Sequence, residues 1–253
     1  MLMLELLSPL SGGLNLSLVA LSALTSALSA AAGIGGGTLL IIVLAQVMPA
    51  MALIPVHGMV QLGSNGGRAV MTWRHVRRDI VAAFLPGVVV GALAAAWLLV
   101  RLPSGVLELC IAAFVLYSSW GPGLPQRAVG RTGTMIAGAV TTLLSSLVGA
   151  SGPMVASFIK LGMSERLPRV ATFATCMTLQ HLTKAFIFGF AGFVFRDWLG
   201  LILAMVAAGF LGTWLGLRLL QRVTDSRFDF LFKWVLTLLA LRLIWLGVQR
   251  LAG

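Results

Sequence analysis

Runs of apolar residues long enough to cross a bilayer recur along this chain, and no other feature narrows its possible folds as far. Several approach or exceed the roughly 18 uncharged residues that a spanning helix needs. Only 10% of the 253 residues are charged and 59% are hydrophobic, with a mean hydropathy of +1.01, whereas a soluble domain carries about 25% charged side chains. The chain therefore reads as an all-α polytopic membrane protein. Its formal net charge of +11 sits in short loops between apolar segments, so positive-inside topology accounts for it, and nucleic acid is not an expected partner.

One run is broken where a membrane helix has no reason to break, at Gly33-Ile34-Gly35-Gly36-Gly37. In hydrocarbon every backbone N–H and C=O must be paired, so such a break is tolerated only where protein covers it or where it lines a polar cavity. The segment Thr38 to Met48 resumes as an apolar helix whose N-terminal N–H groups point back into the break, which makes an anion site. Met1 to Leu16 lacks a basic leader region and carries only Glu5, so the N-terminus is expected to be retained. Cys110 and Cys176 fall inside apolar segments without CxxC or Cys/His spacing. They read as buried thiols, with no metal or cofactor expected.

Apolar segments run from Leu14 to Ala32, Thr38 to Met48, Ala52 to Trp73, Ile80 to Val100 and Gly105 to Trp120. After turn-forming residues the pattern restarts: Thr134 to Val148, a second break at Gly149-Ala150-Ser151-Gly152-Pro153, then Met154 to Gly162, Arg169 to Phe190, Trp198 to Leu217 and Phe230 to Gly247. The boundaries are a first repeat over 1–121, a linker over 122–132 and a second repeat over 133–253. An offset of 116 (149 − 33) sets Gly33 on Gly149, Gly36 on Gly152 and Arg68 on Lys184. Arg74, Arg77 and Arg78 place the loop after the Ala52 to Trp73 span in the cytoplasm. The equivalent loop, Ala191 to Asp197, reads as external, and the second half carries its cations at Lys160, Arg166 and Arg169 and at Arg218, Arg222 and Arg227. The repeats are thus inverted, which needs an odd number of crossings in each. That follows if each repeat is a re-entrant helical hairpin turning at its glycine break plus three transmembrane helices, eight apolar segments in all. The segments after each break, at about 16 Å, are half a hydrocarbon core long. The competing arrangement is eight plain helices with parallel halves, since Leu14 to Ala32 is long enough to cross.

The Ala52 to Trp73 span carries His57, Gln61, Ser64, Asn65 and Arg68 on one face, and its counterpart carries Gln180, His181 and Lys184 beside Thr172, Thr175 and Thr178. An arginine at the centre of a lipid-facing helix costs about 2.5 kcal/mol or more, so both stripes must look inward. Opposed spans put Arg68 toward the cytoplasmic end and Lys184 toward the external end, one cation at each entrance. The midplane is left to Gly35, Gly36, Gly37, Thr38, Ser151, Gly152, Gln61, Ser64, Asn65, Thr175, Thr178 and Gln180. Donors and cations without buried acids describe an anion path. Glu108 lies near a span end and is expected to snorkel, Arg242 lies deep in the last span without a repeat mate, and Trp73, Trp120, Trp198 and Trp245 read as interfacial anchors. Bland alternatives exist for each: glycine for helix packing, Arg68 and Lys184 snorkelling, His57 and His181 as hydrogen-bonded packing residues.

The first glycine motif with its apolar half-helix, the degenerate second copy with Ser151 and Pro153 in glycine positions, and eight apolar segments in two halves resemble the sulfite exporter TauE/SafE family of membrane transporters. Proline suits the first turn of a helix, so the second break keeps its geometry. The resemblance implies movement of sulfite, sulfoacetate or related organosulfonates across a bacterial inner membrane. The expected activity is a secondary carrier rather than an enzyme, exporting a small anion by alternating access. Alternatives are an anion channel with the same lining, or proton-coupled uptake with His57 and His181 as candidate proton carriers.

Overall fold

The computed structural model describes residues 6–32, 35–98, 104–122, 130–219 and 226–252. Gly33 and Ile34 of the first break, Met1 to Glu5, most of the linker and Arg222 lie outside these residues. Ten α-helices are described: α1 (Gly12–Ala32), α2 (Gly36–Val47), α3 (Ala50–Met71), α4 (Arg78–Leu98), α5 (Ser104–Trp120), α6 (Arg131–Val148), α7 (Gly152–Gly162), α8 (Arg166–Phe190), α9 (Leu199–Leu219) and α10 (Ser226–Ala252). Short 3-10 turns, Trp73–His75 and Phe195–Trp198, precede α4 and α9. No strand is found among the described residues.

Among the described residues, four helical stretches are long and apolar enough to cross a membrane: Gly12–Ala31, Arg78–Leu98, Phe195–Leu219 and Phe230–Ala252. The central helices α3 and α8, with 22 and 25 residues, are as long. They carry the polar stripes, which every neighbour covers, so they need not be apolar all round. The half-helices α2 and α7 have 12 and 11 residues, or roughly 18 and 16 Å.

Glycine decides which helices pair. Gly209, Gly212 and Gly216 on one face of α9 admit Ser26, Ala23 and Ala27 of α1 so closely that a Cβ at Gly212 or Gly216 would overlap a backbone carbonyl. Gly87 and Gly91 of α4 admit Met135 and Ala139 of α6 in the same way. With lipid outside, close packing of small residues and interhelical hydrogen bonds, such as Ser22 Oγ donating to Met205 O at 2.7 Å, hold such pairs. Both pairs join a helix of one half to a helix of the other. Contact order along each seam makes α1, α3 and α9 run one way and α4, α6 and α8 the other: Gly63 and Gly67 of α3 meet Val206 and Phe210 of α9, whereas Gly58 and Gly66 of α3 meet Lys184 and Thr178 of α8.

Several expectations change. Glu108 does not snorkel: it is fully buried and ion-paired with Arg250 where α5 packs on α10. The same seam joins Trp120 Nε1 to Thr237 Oγ1 at 2.8 Å. Trp198 is only 6% exposed, against 50–64% for Trp73, Trp120 and Trp245, because it packs into the core instead of facing headgroups. Arg242 gains a role, donating to the Gln46 side chain at the end of α2. The two cysteines are free, Cys176 buried and Cys110 partly so.

Candidate functional site

Each break makes its turn through a glycine. Gly35 precedes α2 with φ 101° and Gly149 ends α6 with φ 79°, conformations that side chains disfavour. Gly36 lies against the carbonyl of Thr25 and the hydroxyl of Ser29, with no room for a Cβ, so α2 folds back along α1. In the second break Ser151 accepts from Met154 N and Val155 N at 3.0 and 3.1 Å, and Pro153 occupies the first turn of α7.

The two first turns open on one cavity. It is small, about 20 Å³, and is bounded by Gly35, Gly37 and Thr38 from the first break and by Gly149, Ala150, Ser151 and Gly152 from the second. Backbone N–H groups in the first turn of a helix have no partner within the helix, and the dipole adds partial positive charge. Because Pro153 has no N–H, the second tip offers fewer donors than the first.

The walls follow the repeat. His57, Gln61 and Asn65 line the cavity from α3, and Phe173, Met177 and His181 line it from α8; each pair is separated by 116 residues. One wall is therefore polar and the other largely apolar. Asn65 Nδ2 donates to Gln61 O and Gln61 Oε1, both at 2.9 Å, and Arg68 Nη1 donates to Asn65 Oδ1 at 3.4 Å. Arg68 thus reaches the cavity through Asn65, buried throughout and with its Nε unpartnered. His57 Nε2 lies 3.1 Å from Gly37 O.

The remaining expected residues surround this shell. Ser64 turns to α1, where it shares a 2.8 Å hydrogen bond with Ser26. Gln180 braces the second tip: its Oε1 accepts from Ser151 Oγ at 2.8 Å while its Nε2 donates to Thr141 and Thr142 at 2.7 and 3.1 Å. Thr175 and Thr178 donate to Ala171 O and Ala174 O of their own helix, so those hydroxyls are not aimed into the cavity. Lys184 does not stand at an outer entrance. Its Nζ donates to Gly149 O at 3.3 Å and its stem lies against Gly58 in mid-α3, which brings the ammonium to the level of the breaks.

Reading for donors and cations passed over Ser29, Phe173 and Met177, although carrying His57 and Gln61 across the repeat offset leads directly to the last two. Arg166, from the start of α8, donates to Ala31 O at 2.6 Å and caps the carbonyl end of α1 next to the first break. A second, wider crevice of about 380 Å³ is lined by Ile54, Leu147, Phe193 and Trp198 among others. Ile54, which lines this crevice, and Ile41 pack on Gly149, which lines the smaller cavity. Among the described residues, no group of three His, Cys, Asp or Glu side chains comes together.

No curated protein and no solved structure matches this chain well enough to name as a relative. The family model described as "Sulfite exporter TauE/SafE" matches residues 18–243, nearly the whole length. This chain belongs to that family of membrane transporters.

Proposed function

We propose that this multi-pass membrane protein is a secondary transporter that exports a small sulfur-containing anion, such as sulfite, sulfoacetate or a related organosulfonate, across a bacterial inner membrane. The observation that carries the reading is the meeting of two helix N-terminal turns, one from each half, on a single acid-free cavity. Oxygens of a sulfonate or sulfite accept from the free N–H groups of α2 and α7 and from Gln61 Nε2, while Asn65 holds the Gln61 side chain through its Oε1. Phe173 and Met177 offer the opposite wall to a short carbon chain.

The two halves act as inverted repeats, each a re-entrant hairpin, α1–α2 or α6–α7, followed by three spans. Support comes from the opposed directions of α1, α3 and α9 against α6, α8 and α4, which are mates under the repeat offset, and from half-helices too short to cross. Rocking one repeat against the other exposes the cavity to each side in turn. The layer of Ile41, Ile54 and Gly149 closes it from the wide crevice, and Lys184 fastens that layer. At an interior-negative potential of about 150 mV, each net negative charge expelled gains about 3.5 kcal/mol.

Flux of labelled sulfite and sulfoacetate through proteoliposomes tests this. Saturable flux with counterflow is expected; linear, unsaturable flux without counterflow points instead to a channel. Removing a charge-assisted hydrogen bond costs about 1.5–3 kcal/mol, so Arg68→Ala and Lys184→Ala should each slow flux about tenfold or more. Unchanged rates in both would remove their assigned roles.

A further inference from the structure

Among the described residues, the ionisable side chains in and directly around the cavity are all bases. His57 and His181 line it, Lys184 follows His181 by one turn and bonds Gly149 O, and Arg68 stands behind Asn65. The stretches of α2, α6 and α7 that face the cavity contribute glycine, alanine, serine and threonine, with no acid. Among the described residues the carboxylates are elsewhere: Glu108 is on Arg250, Asp79 is on Arg77, Glu165 stands at the N-cap of α8 and Asp197 lies in the turn before α9.

The two histidines are not equivalent. His57 Nε2 faces a carbonyl, Gly37 O, so that nitrogen carries the hydrogen and donates it, leaving Nδ1 bare. His181 is buried with neither ring nitrogen partnered, and its ring stands edge-on to His57 with centroids 6.0 Å apart. A buried polar side chain without partners calls for an explanation, and here the unfilled positions border the space where the anion would sit.

We propose that His181 takes up a proton as the anion enters, so that the cavity binds anion and proton together. This rests on the cavity being the anion site. A second cation beside Lys184 is opposed in the empty cavity, where no carboxylate answers it; the anion supplies the missing countercharge. The imidazolium then has two N–H donors, one more than the neutral ring, and can give a charge-assisted bond to the anion. A monoanion is thereby held without net charge, while a dianion keeps one negative charge to be driven outward.

The test uses the full-length protein in detergent and methanesulfonate, which, unlike sulfite, does not titrate near neutral pH. Calorimetric titrations at one pH, in two buffers of different ionisation enthalpy, count the protons taken up. The expected result is uptake approaching one proton per anion near neutral pH, with affinity weakening about tenfold per pH unit on the alkaline side. In His181→Gln the uptake and the pH dependence should vanish. The chain has only three histidines, His57, His75 and His181, and His75 is exposed. Histidine 15N spectra should therefore show one buried ring becoming protonated on adding anion, with His75 as reference. If His181→Gln does not fold, the parent's proton count and spectrum decide alone. Methanesulfonate binding without proton uptake, or with uptake unchanged in His181→Gln, overturns the proposal and leaves the transport reading intact. Sulfate and formate are run in parallel. Proton-linked binding of these but not of methanesulfonate keeps the proposal and removes the organosulfonate reading, and failure of every anion to bind removes both.

Discussion

At the scale of single residues, the proposed anion site depends on atoms that hold the tips in place as much as on those that line the cavity. Gly36 is the tightest case. A methyl there would run into the Thr25 carbonyl and the Ser29 hydroxyl, and backbone cannot yield as a flexible side chain does. Gly36→Ala should lower stability by about 1–3 kcal/mol, as overpacking does, and a thermal melt in detergent would register it; an unchanged melting point would mean that α1 and α2 are not packed as described. Gln180 answers three hydroxyls at once. Gln180→Leu leaves Ser151, Thr141 and Thr142 without that partner, each loss costing about 1 kcal/mol or more, and should weaken anion binding because the second tip loses its brace. Such supports were partly legible: Gln180 was evident as an inward polar residue, but whether it touches substrate or braces a neighbour is a matter of side-chain reach. Thr175 and Thr178 show the same limit, since a hydroxyl can always turn to its own helix.

At the scale of helices, the inward stripes of α3 and α8 and both glycine breaks could be read directly, because burial in lipid tolerates a polar face or a break only where protein covers it. Partner choice could not. Nothing in hydropathy says that α1 seats on α9 and α4 on α6; that information lies in the matching of small residues at Gly209, Gly212 and Gly216 and at Gly87 and Gly91. Likewise Glu108 and Arg250 are 142 positions apart, and only the α5–α10 seam unites them. The pair is lopsided, because the carboxylate is buried while the Arg250 side chain is 37% exposed. Arg250→Ala strands a buried charge and should cost about 3 kcal/mol, whereas Glu108→Gln frees an arginine that can reach headgroups and should cost about 1 kcal/mol or less. Equal losses in denaturation would show that the pair is not buried on one side only.

At the scale of the whole molecule, the repeat offset links sequence, packing and chemistry. Mates under that offset run in opposite directions, and the six cavity residues of α3 and α8 are three such pairs, yet the two walls differ in chemistry. In the proposed transport cycle, symmetry of backbone serves the two-sided motion, and divergence of side chains gives the site a polar face for oxygens and an apolar face for the rest of the ligand. Accordingly Phe173→Ala should alter flux of sulfoacetate more than that of sulfite, and equal effects on both would mean that the apolar wall does not meet the carbon chain.

In the proposed carrier, two opposed helix N-terminal turns hold one anion between them. An experimental structure of the protein soaked with selenite, an anomalous scatterer of sulfite's shape, tests it most directly. An anomalous peak is expected between Gly37–Thr38 and Ser151–Gly152; a cavity without that peak at saturating selenite, or a peak bound only at the exposed basic loop around Arg74 and Arg78, would rule out the shared anion site.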